Sequence, residues 1–93
     1  MTAKTRIETR TSRYGNPEPS IVVTAATWRE SHAVVYRLAA ALEMATPDTE
    51  SWSVTPDVHG GRVYLELANG RDGEADRAVS LLRATMRRWE SWS

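Results

Sequence analysis

Two apolar rhythms run along this chain, and each occurs twice in the same order. Residues 21–26 (IVVTAA) and 63–68 (VYLELA) are apolar stretches of strand length. Ile21, Val23 and Ala25 share one face of the first, and Val63, Leu65 and Leu67 share one face of the second. Each leads into a longer run with helical spacing. From Trp28 to Ala45, the residues Trp28, Ser31, His32, Val35, Leu38, Ala39 and Leu42 fall on one face, while Arg29, Ala33, Arg37, Ala40 and Glu43 fall opposite. From Glu74 to Trp89, the residues Ala75, Ala78, Val79, Leu82, Met86 and Trp89 recur at i, i+3, i+4, i+7 spacing, with Leu81 beside them. Trp92 prolongs that stripe past the expected helix end, so residues 90–93 read as a frayed tail.

A further extended segment precedes each of these strands. Residues 4–13 (KTRIETRTSR) alternate weakly around Ile7, with Thr5, Thr9 and Thr11 suited to a strand. So little apolar surface makes residues 1–13 an edge strand or a flexible arm. Residues 15–19 (GNPEP) read as the turn that follows. Residues 51–58 (SWSVTPDV) alternate cleanly, with Trp52, Val54, Pro56 and Val58 on one face. Pro56 lacks an amide donor and places this strand at a sheet edge or on a bulge. His59-Gly60-Gly61-Arg62 is a hairpin turn. Thr27 and Glu30 form a T-x-x-E capping box that starts the first helix. Pro47 ends it, and Asp72 is the expected N-cap of the second.

The element order is therefore ββαββα. Elements with one apolar face must bury those faces against one another. The expected fold is a single α+β domain over residues 1–93, with two helices packed on one face of a four-stranded, mainly antiparallel sheet. Thr24, Ser51, Ser53, Thr55 and Glu66 then help to solvate the other face. Glu50-Ser51-Trp52-Ser53 recurs as Glu90-Ser91-Trp92-Ser93 after the second helix. Duplication of a ββα unit is one reading of that recurrence; chance similarity in a short chain is the stronger one.

Composition narrows the chemistry. With no cysteine, disulfides and thiolate zinc sites are excluded. No run approaches the ~18 apolar residues of a membrane span, and the N-terminus has no apolar leader core, so a soluble, cytoplasmic protein is expected. Twelve basic and twelve acidic residues balance, so the global field favours neither nucleic acid nor membrane. Eleven of the basic residues are Arg and only Lys4 is Lys, a bias of the kind that GC-rich, actinobacterial genomes give. The acids Asp72, Glu74 and Asp76 and the bases Arg83, Arg87 and Arg88 fall at opposite ends of the second helix, as the helix dipole favours.

Catalytic and cofactor motifs are missing. There is no nucleophile elbow and no Gly-rich phosphate loop after a buried strand. His32 and His59 are 27 positions apart in different kinds of element, and a metal site would need them to converge with a carboxylate such as Glu66. Asp72, Glu74 and Asp76 resemble a calcium loop only in part, because Arg77 and Arg83 stand where it needs a glycine and an acid. No catalytic residue, metal ligand or cofactor is assigned on these grounds.

Two binding readings remain. Four tryptophans without any phenylalanine are unusual in a chain of this size. Trp28 and Trp52 are placed for the core; Met86, Trp89 and Trp92 lie where a small sheet does not reach, and they are the candidate interface. The strand at 51–58 is a candidate exposed edge, open to pairing with another chain. This points to a small non-enzymatic protein-binding or regulatory domain that self-associates or docks a protein partner. The alternative is a weak nucleic-acid binder: Arg6, Arg10 and Arg13 on the first strand and Arg83, Arg87 and Arg88 on the second helix form a basic patch if that strand lies near the helix end, with Trp89 and Trp92 available to stack on bases. A third reading, an enzyme whose site forms only between copies, has no residue to carry it.

Overall fold

A computed structural model describes residues 3–48, 50–67 and 73–92, with side chains as far as Glu90. Its elements are β1 (Lys4–Thr11), β2 (Pro17–Thr24), α1 (Trp28–Ala45), β3 (Trp52–Asp57), β4 (Arg62–Leu67) and α2 (Glu74–Trp92). The strands form one sheet in the order β1-β2-β4-β3, and every neighbouring pair is antiparallel. Two hairpins, β1–β2 and β3–β4, thus meet through their inner strands. This is the α+β, ββαββα fold that the apolar rhythm predicts.

Both helices cover the face that carries Ile21, Val23, Val63 and Leu65. Each lies across the other hairpin. α1 follows β2 and packs over β3; α2 follows β4 and packs over β2 and β1 as well as β4. Ile21, Val35, Leu38, Leu42, Val63 and Leu82 are completely buried in the core between them. Removing apolar surface from water at about 25 cal/mol per Å² is the main stabilising term for such a core.

α1 begins where the capping box places it. Thr27 has extended geometry (φ −128°, ψ 154°), and its hydroxyl accepts the Glu30 amide at 3.2 Å. At the other end, the Thr46 amide donates to the Leu42 carbonyl at 3.0 Å before Pro47 stops the helix. The buried side of α1 is Val34, Val35, Leu38, Ala39 and Leu42. Trp28 does not join it. At the first turn of the helix it packs on His32 and is 65% exposed, contrary to the core position expected for it. Trp52 is half-buried against the core as expected.

β2 starts four residues earlier than the turn signals suggest, and includes Pro17 and Pro19. Hydrogen-bond parity explains why they are tolerated. The Val23 amide donates to the Gly61 carbonyl at 2.7 Å, so odd-numbered residues of β2 aim their backbone groups at β4. The β2–β4 register spans only Ser20–Tyr64, Ile21–Val63 and Val22–Arg62. Continued, it would set Pro19 opposite Leu65 and Pro17 opposite Leu67. The missing donors thus face a gap rather than a ladder, which is where a strand accepts proline. The Leu67 amide is instead taken by the Glu74 carboxylate at 2.7 Å, at the start of α2. At the opposite end of β4, Gly61 has φ +64°, and a Cβ there would meet the Val23 carbonyl at 2.9 Å, so only glycine closes this hairpin against β2.

α2 runs on to Trp92 instead of stopping at Trp89. Arg83, Arg87 and Arg88 therefore lie before its last turn, too far in to answer the dipole as a C-terminal cluster would. Glu74 and Asp76 do sit in its first turn; the expected cap Asp72 lies outside the described residues. The α2 start is tied to β3 by Arg77, which hydrogen-bonds the Glu50 carboxylate and lies 5.7 Å from the centre of the Trp52 ring, while the Trp52 indole donates to Glu50 at 3.0 Å.

Two stability changes follow. Thr27→Ala is expected to destabilise the domain by about 0.5–2 kcal/mol by removing the cap acceptor, read as a lowered denaturant midpoint. Thr85 is 1% exposed, and its hydroxyl has no hydrogen-bond partner among the described residues. Thr85→Val keeps the shape and removes an unpaired buried group, so it is expected to stabilise by about 1 kcal/mol in the same measurement.

Candidate functional site

The sheet face away from the helices is the polar side of the molecule. Its register sets Arg6, Val22, Arg62 and Asp57 in one row, and Glu8, Ser20, Tyr64 and Thr55 in the next. Arg62 is the hub. Its guanidinium lies 3.1 Å from the Glu8 carboxylate and within 3.5 Å of the Ser20 hydroxyl, and its side chain is only 17% exposed. Arg6 reaches the other Glu8 oxygen at 3.3 Å, and Ser20 donates to the Glu8 carbonyl at 3.3 Å. Val22 is buried on this otherwise polar face, flanked in the register by Arg6 and Arg62, whose aliphatic stems are suited to covering it. The hydrogen bond from Arg62, helped by Arg6, holds the Glu8 carboxyl below its ordinary value. Arg10 donates to the Tyr64 hydroxyl at 3.3 Å.

The two outer strands present different edges. Because odd residues of β4 face β2, its even residues pair with Asp57, Thr55 and Ser53 of β3. The even residues of β3, Trp52, Val54 and Pro56, then face outward, and Pro56 cannot donate there. Proline is one of the devices that blunt an edge against pairing. On β1 the parity is fixed by the Ser12 amide, which donates to the Asn16 carbonyl at 2.8 Å in continuation of the β1–β2 register. Even residues of β1 pair inward with β2, and Thr5, Ile7, Thr9 and Thr11 turn their backbone groups outward. This edge spans eight residues and contains no proline. The sequence pattern singles out 51–58 as the candidate edge and leaves 4–13 as an edge or an arm. Both are edges, and β1 is the one with a full set of donors.

Met86 and Trp89 are half-buried and packed against the core. The Trp92 side chain lies outside the described residues. Arg83, Arg87 and Arg88 are exposed on the helix layer, whereas Arg6 and Arg10 project from the opposite face of the sheet. Arg13 is exposed in the turn after β1. α2 starts beside that turn and runs about 28 Å away from it. The two arginine sets are therefore separated by the sheet, and do not merge into one patch.

The histidines do converge, which their spacing gave no reason to expect. His32 and His59 meet edge to face with ring centroids 6.1 Å apart, and Trp28 packs on His32 at 5.2 Å. The pairing of Val23 with Gly61 brings the β3–β4 turn to the start of α1 and creates this contact. The rings line an open cleft of about 650 Å³ with Ser31, Thr27 and Val58. Glu66 stands on the polar face and does not join them. Among the described residues, no group of three or more His, Asp or Glu side chains gathers as a metal site would require.

The depressed Glu8 value gives a pH dependence with a definite sign. Its stabilisation is complete above the ordinary carboxylate range and is lost as the pH falls through the lower folded value. Glu50, held down chiefly by Arg77, behaves alike. Glu8→Gln is expected to flatten, without abolishing, the fall in denaturant midpoint between about pH 5 and pH 3. Parallel curves for the two proteins would show that Glu8 is not held by Arg62.

Comparison of the chain with protein-family models, with curated proteins and with solved structures found no match.

Proposed function

We propose that this domain is a non-enzymatic protein-binding module that self-associates by strand addition at the outer edge of β1. The observation that carries the reading is the asymmetry of the two sheet edges. The outer edge of β3 is blunted by Pro56, while β1 offers the outward amides and carbonyls of Thr5, Ile7, Thr9 and Thr11 without interruption. An unpaired row of backbone groups is a template for another strand, which gains main-chain hydrogen bonds on docking. The residues around it suit an interface: Ile7 is half-buried at the core margin, and the Arg6, Glu8 and Arg10 side chains stand beside the edge on the polar face.

Proline substitution separates this role from folding. The Thr9 amide points outward and bonds nothing within the sheet, so Thr9→Pro is expected to leave the folded monomer intact. The Glu8 amide pairs with β2, so Glu8→Pro removes a ladder hydrogen bond as well as the carboxylate held by Arg62, and is expected to lower the denaturant midpoint clearly. Light scattering across a concentration series is expected to show association of the unmodified protein and its loss in Thr9→Pro, with circular dichroism confirming the fold. A monomer at every concentration, or association only when nucleic acid is added, would overturn the reading.

A further inference from the structure

We propose that the strand added at β1 is the β1 of a second copy, paired antiparallel about a twofold axis through Thr9, so that Glu8 of each copy lies opposite Arg10 of the other. This rests on the reading of β1 as the binding edge and names its occupant and register. In an antiparallel ladder, residues whose backbone groups point at each other form the hydrogen-bonded pairs. Only the odd residues of β1 point outward, so odd must meet odd across the new junction and even must meet even. All four charged residues of the strand, Lys4, Arg6, Glu8 and Arg10, are even and lie on the polar face.

Charge then selects among the axes. An axis through Glu8 sets Glu8 against Glu8 and Arg6 against Arg10. An axis through Ile7 gains Arg6 opposite Glu8 but sets Lys4 against Arg10 at both ends. An axis through Thr5 sets Lys4 against Arg6, and one through Arg6 pairs Lys4 with Glu8 but sets Arg6 against itself on the axis. Like charges directly opposite are destabilising, and opposite charges favourable. The axis through Thr9 gives two Glu8–Arg10 pairs, puts Arg6 opposite Ser12 and makes no like-charge pair. It also lays Thr11 of one copy against Ile7 of the other, which closes over the half-buried isoleucine. The groups retain the capacity for this. Arg10 uses one guanidinium nitrogen on Tyr64 and keeps other donors, and a carboxylate that accepts from Arg62 and Arg6 has lone pairs left. The product is a continuous eight-stranded sheet with both α2 helices on the same side.

A charge swap tests the register. Glu8→Arg and Arg10→Glu are each expected to weaken dimerisation by about tenfold or more, and the double reversal Glu8→Arg/Arg10→Glu to restore most of it. Arg6→Glu is expected to have little effect. Since Glu8→Arg also removes the partner of Arg62, a second measurement avoids that bridge. The chain has no cysteine, and Thr9 is exposed, so Thr9→Cys introduces a single thiol at the axis. Hydrogen-bonded antiparallel pairs stand about 5.5 Å apart between Cα atoms, within disulfide range. Thr9→Cys is expected to cross-link into a covalent dimer on mild oxidation, and Thr5→Cys is not. Rescue by a swap at positions 6 and 8, or failure of Thr9→Cys to cross-link a protein that still dimerises, would overturn the register and leave self-association standing. An unmodified protein that stays monomeric would remove both.

Discussion

Three residue pairs and one further hydrogen bond join the two halves of the sheet. Ser20–Tyr64, Ile21–Val63 and Val22–Arg62 are the β2–β4 register among the described residues, and the Val23 amide extends it to the Gly61 carbonyl. So short a junction is weak by itself, since two-stranded pairing is marginal in water without a covered face. The helices supply what the ladder lacks. Each is attached to one hairpin and packed across the other, so separating the halves would pull Leu38, Leu42 and Leu82 out of a common core. On the polar face, Arg62 bridges the same junction by reaching Glu8 on the far hairpin. Backbone, core and charge all cross the seam at one place.

The parts of the fold legible in the sequence were those set by local chemistry. Thr27 and Glu30 mark the start of α1 because capping needs only four consecutive residues, and the alternation at 51–58 marks β3 because one of its faces meets the core and the other meets water. The sequence pattern starts β2 too late, since Pro17 and Pro19 are turn signals when taken alone. Their acceptability depends on which side of the strand lacks a partner, a property of the sheet and not of the segment. Trp28 shares the spacing of the buried face of α1 yet, as the first residue of the helix, is left largely exposed. Spacing gives the angle of a residue around a helix, but not whether anything lies underneath.

The candidate site divides along the same line. The edge character of β3 could be read from Pro56, while the outward parity of Thr5, Ile7, Thr9 and Thr11 could not, because it follows from the hydrogen bonds that β1 makes with β2. Arg6 and Arg10 of β1 and Arg83, Arg87 and Arg88 of α2 could form one patch only if the fold brought the two sets together, and it places them on opposite faces of the sheet. His32 and His59 looked unrelated and touch. In each case, long-range pairing decides proximity, and a single sequence carries little information about it.

The prolines of β2 also restrict how the halves can meet in the first place. Seen from β4, they turn one end of β2 into a stretch that cannot be zipped, so the ladder has a hard stop next to Ser20. If β4 slid by two residues toward that end, it would keep every side chain on its proper face, which is the error that hydrophobic patterning alone cannot prevent. It would also move the ladder onto Pro19 and forfeit the bond that needs an amide donor there. At the other end, the close approach of Gly61 to the Val23 carbonyl leaves no room for a residue with a side chain in its place. Two residue types usually regarded as strand breakers thus act as register keys, one at each end of the seam.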